Sequence, residues 1–231
     1  CERVGEVRTT ALQDPVLCPS GECLDPIMLK DLDQRLAELP AEQRSRGTVV
    51  VMHQMGSHGP AYFKRSAAAL KKFQPECTST NLQECTQAQV VNAYDNSIVQ
   101  TDQFLDSVIN WLSDQSDKAQ TAMIYVADHG ESLGENNIYL HGLPYSIAPD
   151  VQKHVPWITW LSPAMQSRMG TATPCLQKEL AQQRITHDNY FHSVLGLLDV
   201  KTGAYQPELD IFSACRKTVA AKQAAPAPAK S

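Results

Sequence analysis

The sequence predicts an α/β fold with a mostly parallel sheet sandwiched between helices. Three observations lead there. Short apolar runs rich in β-branched residues recur along the chain, a long amphipathic helix lies between two of them, and a shorter one follows the last. In such sheets, sites gather at the carboxyl ends of the strands.

The elements follow in order. Residues 24–39 read as a helix: Asp25 caps, Pro26 suits the first helical position, and Met28, Leu29, Leu32 and Leu36 share a face until Pro40 stops it. The run Gly47-Thr48-Val49-Val50-Val51-Met52-His53 reads as a strand buried on both faces. Residues 61–73 are weakly helical. Over residues 87–113, Val91, Tyr94, Ile98, Thr101, Leu105, Val108 and Leu112 alternate gaps of three and four, the stripe of a helix that packs on a sheet. A second buried strand, Ala122 to Ala127, ends at Asp128-His129-Gly130, and a third spans Val155 to Leu161. Residues 188–198 form a short helix capped by Asp188. From Arg216 onward Ala, Pro and Lys follow without periodicity, so 216–231 is expected to be a disordered tail.

Composition excludes several classes. With 231 residues, 42% hydrophobic and 19% charged, the chain is ordinary globular material. Its net charge of −5 and lack of a basic run argue against a nucleic-acid partner. The longest apolar run, Ala122 to Ala127, is far short of the roughly 20 residues a membrane helix needs. A charged Glu2 leaves no visible signal peptide, and a chain opening on Cys1 rather than Met reads as a processed product or fragment.

Seven cysteines are present: Cys1, Cys18, Cys23, Cys77, Cys85, Cys175 and Cys215. Cys18 with Cys23 and Cys77 with Cys85 are close pairs in polar, turn-rich segments, which favours disulfides made in an oxidising compartment. The competing reading is a metal knuckle, although neither spacing is C-x₂-C and no histidine lies close by. Cys1 is expected to have a partner upstream, or to be an acylated lipoprotein residue. Pairing of Cys175 with Cys215 stays open.

Four of the seven histidines carry the chemistry: His53 and His58 in HQMGSHGPAY, His129 in ADHGESLGE and His141 in YLHGLPY. Asp128 and His129, at a strand end and followed by Gly130, are positioned to turn onto one ion, and such a set suits Zn²⁺. Alone, an Asp-His-Gly turn serves equally for capping, and a strand-ending His53 serves as a hydrogen-bonded structural residue. Three segments that each place histidine beside glycine favour the metal site. Glu131 and Glu135 are expected to face solvent or cap the following turn. His154, His187 and His192 read as structural or surface residues. No P-loop, G-x-S-x-G or H-E-x-x-H occurs.

HQMGSHGPAYFKR, NAYDN and DHGESLGENNIYLHG together closely resemble the lipid A phosphoethanolamine transferases, which include the mobile colistin-resistance enzymes of the alkaline phosphatase and sulfatase superfamily. The resemblance implies an alkaline phosphatase/sulfatase-like fold. Residues 1–215 would be the carboxyl-terminal part of a periplasmic catalytic domain, here incomplete. It implies an enzyme at the periplasmic face of the bacterial inner membrane. Such enzymes use Zn²⁺ to move phosphoethanolamine from phosphatidylethanolamine to lipid A through a phosphorylated threonine, conferring polymyxin resistance. Asp128 and His129 match the zinc ligands. His58 and His141 match histidines that bind a second zinc or the transferred headgroup, and His53 lies beside them as a weaker member. The close cysteine pairs match stapled periplasmic loops.

The nucleophilic threonine, a further carboxylate ligand and the membrane helices that contact the bilayer are expected before residue 1. No residue of this chain takes the nucleophile's role, and the chain alone, expected to be monomeric, should not form the phosphoenzyme. Sulfatases, phosphoglycerol transferases and phosphomonoesterases are alternatives within the superfamily. A non-catalytic, disulfide-stapled periplasmic module is the alternative outside it.

Overall fold

The computed structural model describes residues 14–19 and 21–216, so Cys1 and the tail beyond Arg216 lie outside the described residues. Along the chain run helices α1 (Leu32–Glu38), α2 (Ala41–Ser45) and α3 (Gln87–Asp114), strands β1 (Ala122–Val126), β2 (Ser132–Leu133), β3 (Tyr139–Leu140) and β4 (Trp157–Leu161), then helices α4 (Pro163–Met169), α5 (Thr173–Leu180) and α6 (Asp188–Leu197). The chain divides into two compact units. One holds the residues up to Val108 with His129–Val155, and the other holds Ile109–Asp128 with Pro156 onward.

In the first unit the helix expected over 24–39 is split. A 3₁₀ turn covers Asp25–Leu29, and Asp31 at φ 56° interrupts the path before α1. Asp25 does not cap its own helix. Its carboxylate instead accepts the backbone N–H groups of Met55 at 2.9 Å and Gly56 at 3.0 Å, holding the segment that leads to His58. Burial pushes the Asp25 carboxyl above its ordinary range, and the two amides oppose that shift.

The strand expected at 47–53 is absent. The segment forms no ladder, and Val49 and Val51 are 62% and 73% exposed. A β-branched run becomes a strand only where a neighbour supplies hydrogen bonds and a packing face. None of the described strands pairs with this one. Residues 61–73 hold two short 3₁₀ turns, Tyr62–Lys64 and Ala68–Leu70.

Helix α3 forms where its stripe predicts, but the buried face is rotated. Val90, Ala93, Ser97, Phe104 and Val108 are buried, whereas Ile98 is 43% exposed. Small polar residues at 96, 97 and 100 explain the offset. Asn96 bonds to the backbone N–H and C=O of Phe73, and the Gln100 side chain accepts from Ala67 N–H. Loop backbone therefore covers part of this face. Val90 and Ala93 pack with Tyr62, Cys77, Leu82 and Leu133, and the Cys77–Cys85 disulfide closes the loop beside them. The Cys18–Cys23 pair is also bonded.

In the second unit β1 pairs with β4, Ala122 opposite Leu161 and Val126 opposite Trp157. This ladder is antiparallel, as is that between β2 and β3 in the first unit, so the expected parallel pairing is absent among the described strands. A parallel neighbour for β1 requires a crossover connection such as α3 supplies. The run before α3 that would use it, residues 47–53, carries no ladder. Strand β1 is half-buried rather than fully buried. Ser162 caps α4 by accepting from Met165 N–H, with Pro163 at the first helical position. At α6 the cap expected from Asp188 is absent. Asn189 instead accepts from Thr186 N–H at 2.8 Å. The core of this unit gathers Leu161, Met165, Leu176, Leu197, Ile211 and the fully buried Phe212. Cys175 is bonded to Cys215 at its edge, which answers the pairing that the sequence leaves open.

Beside this core the buried Asp210 accepts from Tyr205 Oη at 2.7 Å and Phe212 N–H at 2.9 Å, and pairs with Arg216. Burial, then the bond to Asp210, pushes the Tyr205 phenol up to about 12 from 10.0. The neutral phenol is thus favoured in the folded state. Its contribution is full below pH 10.0, where both states are neutral, and is lost as pH rises toward about 12. Denaturant titrations are expected to show stability falling over that window, with a shallower fall in Tyr205→Phe. Equal slopes would exclude the link.

Candidate metal centre

Three segments of the first unit deliver histidine to one place. His58 follows the loop pinned by Asp25, His129 follows the segment after β1, and His141 follows β3. One potential ligand atom from each lies within 4.8 Å of the others. The rings of His129 and His141 stack with centroids 3.7 Å apart, and His58 stands edge-on at 5.0 Å from His141 and 5.8 Å from His129.

The second nitrogen of each ring is engaged in the same way. His58 Nδ1 lies 2.7 Å from the Gly59 carbonyl, and His129 Nδ1 lies 3.0 Å from the Gly130 carbonyl. His141 Nδ1 lies 3.2 Å from Glu131 Oε1. A carbonyl only accepts, so Nδ1 carries the proton at His58 and His129, and the Glu131 carboxylate selects the same tautomer at His141. Each neutral ring then keeps its lone pair on Nε2. Three imidazoles with Nδ1–H committed to oxygen fit the donor set of a divalent transition-metal ion. His58 and His141 are exposed, which leaves the centre open to a ligand.

Glu131 does not face solvent as expected. It is 7% exposed and accepts from Gly59 N–H at 3.2 Å and Tyr62 Oη at 3.1 Å as well as meeting His141. Burial and the adjacent carboxylate hold the Tyr62 phenol far above its usual range, so it serves as a donor. A signal was available: in extended chain, residues two apart share a face, and Glu131 follows His129 by two. Glu135 behaves as expected, accepting from Leu133 N–H at 2.7 Å at the following turn.

Backbone packing also fixes His129. A Cβ at Gly130 would lie 2.0 Å from the Val151 carbonyl oxygen, while Gly130 N–H donates to Gln152 at 3.0 Å. Gly130→Ala is expected to cost on the order of 1–3 kcal/mol. It should also weaken metal retention, since the strand end must shift. Thermal melting with metal analysis checks both.

The other sequence candidates fall outside the three-histidine group. Asp128 is exposed and precedes His129 directly, and His53 is exposed on the Asp25-pinned loop. His154 lines a cavity of about 360 Å³ with Tyr94, Glu131, Leu133, Glu135, Asp150 and Val151, a space that shares Glu131 with the centre but none of its histidines. In the second unit, His187 Nε2 meets the Ala127 carbonyl at 2.8 Å, and the buried His192 accepts from Gln206 N–H.

With this geometry in place, comparison with known proteins is decisive. The family model described as "Sulfatase" matches residues 3–200. The chain belongs to the sulfatase family. This sulfatase-family chain is 44% identical over 217 residues to phosphoethanolamine transferase EptA of Escherichia coli strain K12, covering 94% of the chain and 39% of that protein. It is 39% identical over 182 residues to phosphatidylethanolamine transferase Mcr-1 of Escherichia coli, covering 79% of the chain and 31% of the relative. The solved soluble domain of lipooligosaccharide phosphoethanolamine transferase A from Neisseria meningitidis superposes with a TM-score of 0.86 at 41% identity, covering 94% of this chain and 64% of that one. The α/β fold class is therefore that of these transferases, and the chain spans well under half the length of the curated relatives named. Among the described residues no helix is long and apolar enough to cross a membrane.

Proposed function

We propose that this chain supplies the histidine-rich part of the catalytic centre of a phosphoethanolamine transferase, with phosphatidylethanolamine as donor and lipid A as acceptor. One observation carries the reading: three imidazoles converge, each offering a ligand atom within 4.8 Å of the others, in a chain 44% identical to EptA. Zinc is the proposed metal, with Asp128 and His129 as ligands; when bound, it would lower the pKa of a coordinated hydroxyl and offset charge on the phosphoryl oxygens.

The remaining work falls to protein groups. Phosphoryl transfer asks mainly for positioning and charge stabilisation. His58 and His141, exposed at the mouth, would hold a second zinc or orient the phosphate through Nε2, and His53 would line the approach to it. When protonated, either of the first two can donate from Nε2 to the departing glycerol oxygen as the phosphorus–oxygen bond breaks. Nδ1 stays committed to its acceptor throughout. The nucleophilic threonine is assigned to no residue of this chain. The periplasmic face of the inner membrane suits three disulfides, which persist in oxidising compartments. Adding a cationic headgroup to lipid A would weaken polymyxin attraction, which accounts for a resistance phenotype.

The test expresses the complete gene product in cells lacking their own phosphoethanolamine transferases and reads lipid A by mass spectrometry. Phosphoethanolamine-modified lipid A and raised polymyxin survival are expected. Unmodified lipid A together with sulfate release from an aryl sulfate would replace this reading with a sulfatase.

A further inference from the structure

Glu131 touches two of the segments building the centre besides its own. Oε1 receives Gly59 N–H, the amide that follows His58, and meets His141 Nδ1, both at 3.2 Å. Oε2 receives Tyr62 Oη at 3.1 Å. Its side chain is only 4% exposed, and the imidazole it meets is that of His141. A carboxylate taken this far from water is costly unless its oxygens are satisfied and positive charge lies near. The amide and the phenol satisfy it, and the imidazole joins it to the centre.

We propose that Glu131 is the positioning residue of this centre. It sets the His141 tautomer with the proton on Nδ1, and through Gly59 holds the His58 segment in register with His141. A partner of this kind on the far nitrogen of a metal-binding imidazole changes metal affinity about 10–100-fold when removed. The Gly59 and Gly130 carbonyls do the corresponding work at Nδ1 of His58 and His129 without charge, whereas the acceptor at His141 Nδ1 is a carboxylate. The inference rests on reading the three histidines as a metal and phosphate centre.

The test measures zinc affinity of the complete gene product by chelator competition, alongside melting of the metal-free protein and kcat and KM for phosphoethanolamine transfer. Glu131→Gln keeps an oxygen facing Gly59 and His141 and removes the charge. Metal-free melting close to the parent, with zinc bound roughly tenfold more weakly, is expected. Glu131→Ala should weaken zinc at the upper end of the 10–100-fold range, and its effect should not add to that of His141→Ala. Should the alanine variant fail to fold, the glutamine variant decides. Zinc affinity within twofold of the parent in a folded Glu131→Gln or Glu131→Ala protein overturns the proposal, as does full additivity with His141→Ala. Zinc affinity is measured without substrate. A protein that transfers no phosphoethanolamine yet shows the affinity loss rejects the proposed function and keeps the positioning role.

Discussion

His129→Ala in the complete gene product is expected to lower phosphoethanolamine transfer by more than about a hundredfold and to release zinc, since losing a direct ligand should exceed the 10–100-fold typical of outer partners. His129 is the least exposed member of the group. Its ring stacks on His141 at 3.7 Å, and its Nδ1 proton is already committed to the Gly130 carbonyl. Asp128→Ala should also lose most activity if the exposed carboxylate joins His129 on one ion. His58→Ala and His141→Ala should lose less, because water can replace part of phosphate positioning. Metal content by mass spectrometry with lipid A analysis separates these results. Full zinc and full transfer in His129→Ala would show that the three histidines are not the centre.

Breaking the Cys175–Cys215 disulfide is expected to have the largest effect on stability. The bond spans 40 residues, and loop-closure entropy over that length corresponds to about 4 kcal/mol. Cys215 is buried against Phe212 and the rest of the second unit's core, and Cys175 lies on α5, so the bond joins the helix to the end of the described chain. Cys175→Ser should lower the melting temperature by about 10 °C. Reducing the parent should reproduce the loss and leave Cys175→Ser less affected. A loss under about 1 kcal/mol would mean that residual structure in the unfolded ensemble already restrains this loop.

Sequence alone determined what depends on local pattern and chemistry. The three-and-four spacing over 87–113 suffices for α3, because a helix satisfies its own backbone and needs only one apolar stripe. The close cysteine spacings suffice for two disulfides, and His58, His129 and His141 stand out by their glycine neighbours. Strands are different, since their hydrogen bonds belong to another part of the chain. The 47–53 run has the right residues and no described partner, and β1 meets β4 antiparallel. Tertiary structure likewise decided the second layer of the centre. That Glu131 turns inward depends on an amide 72 residues away and a phenol 69 residues away, positions no local pattern in the sequence brings together. Burying a carboxylate is favourable only where such donors already converge, so its role follows from the fold.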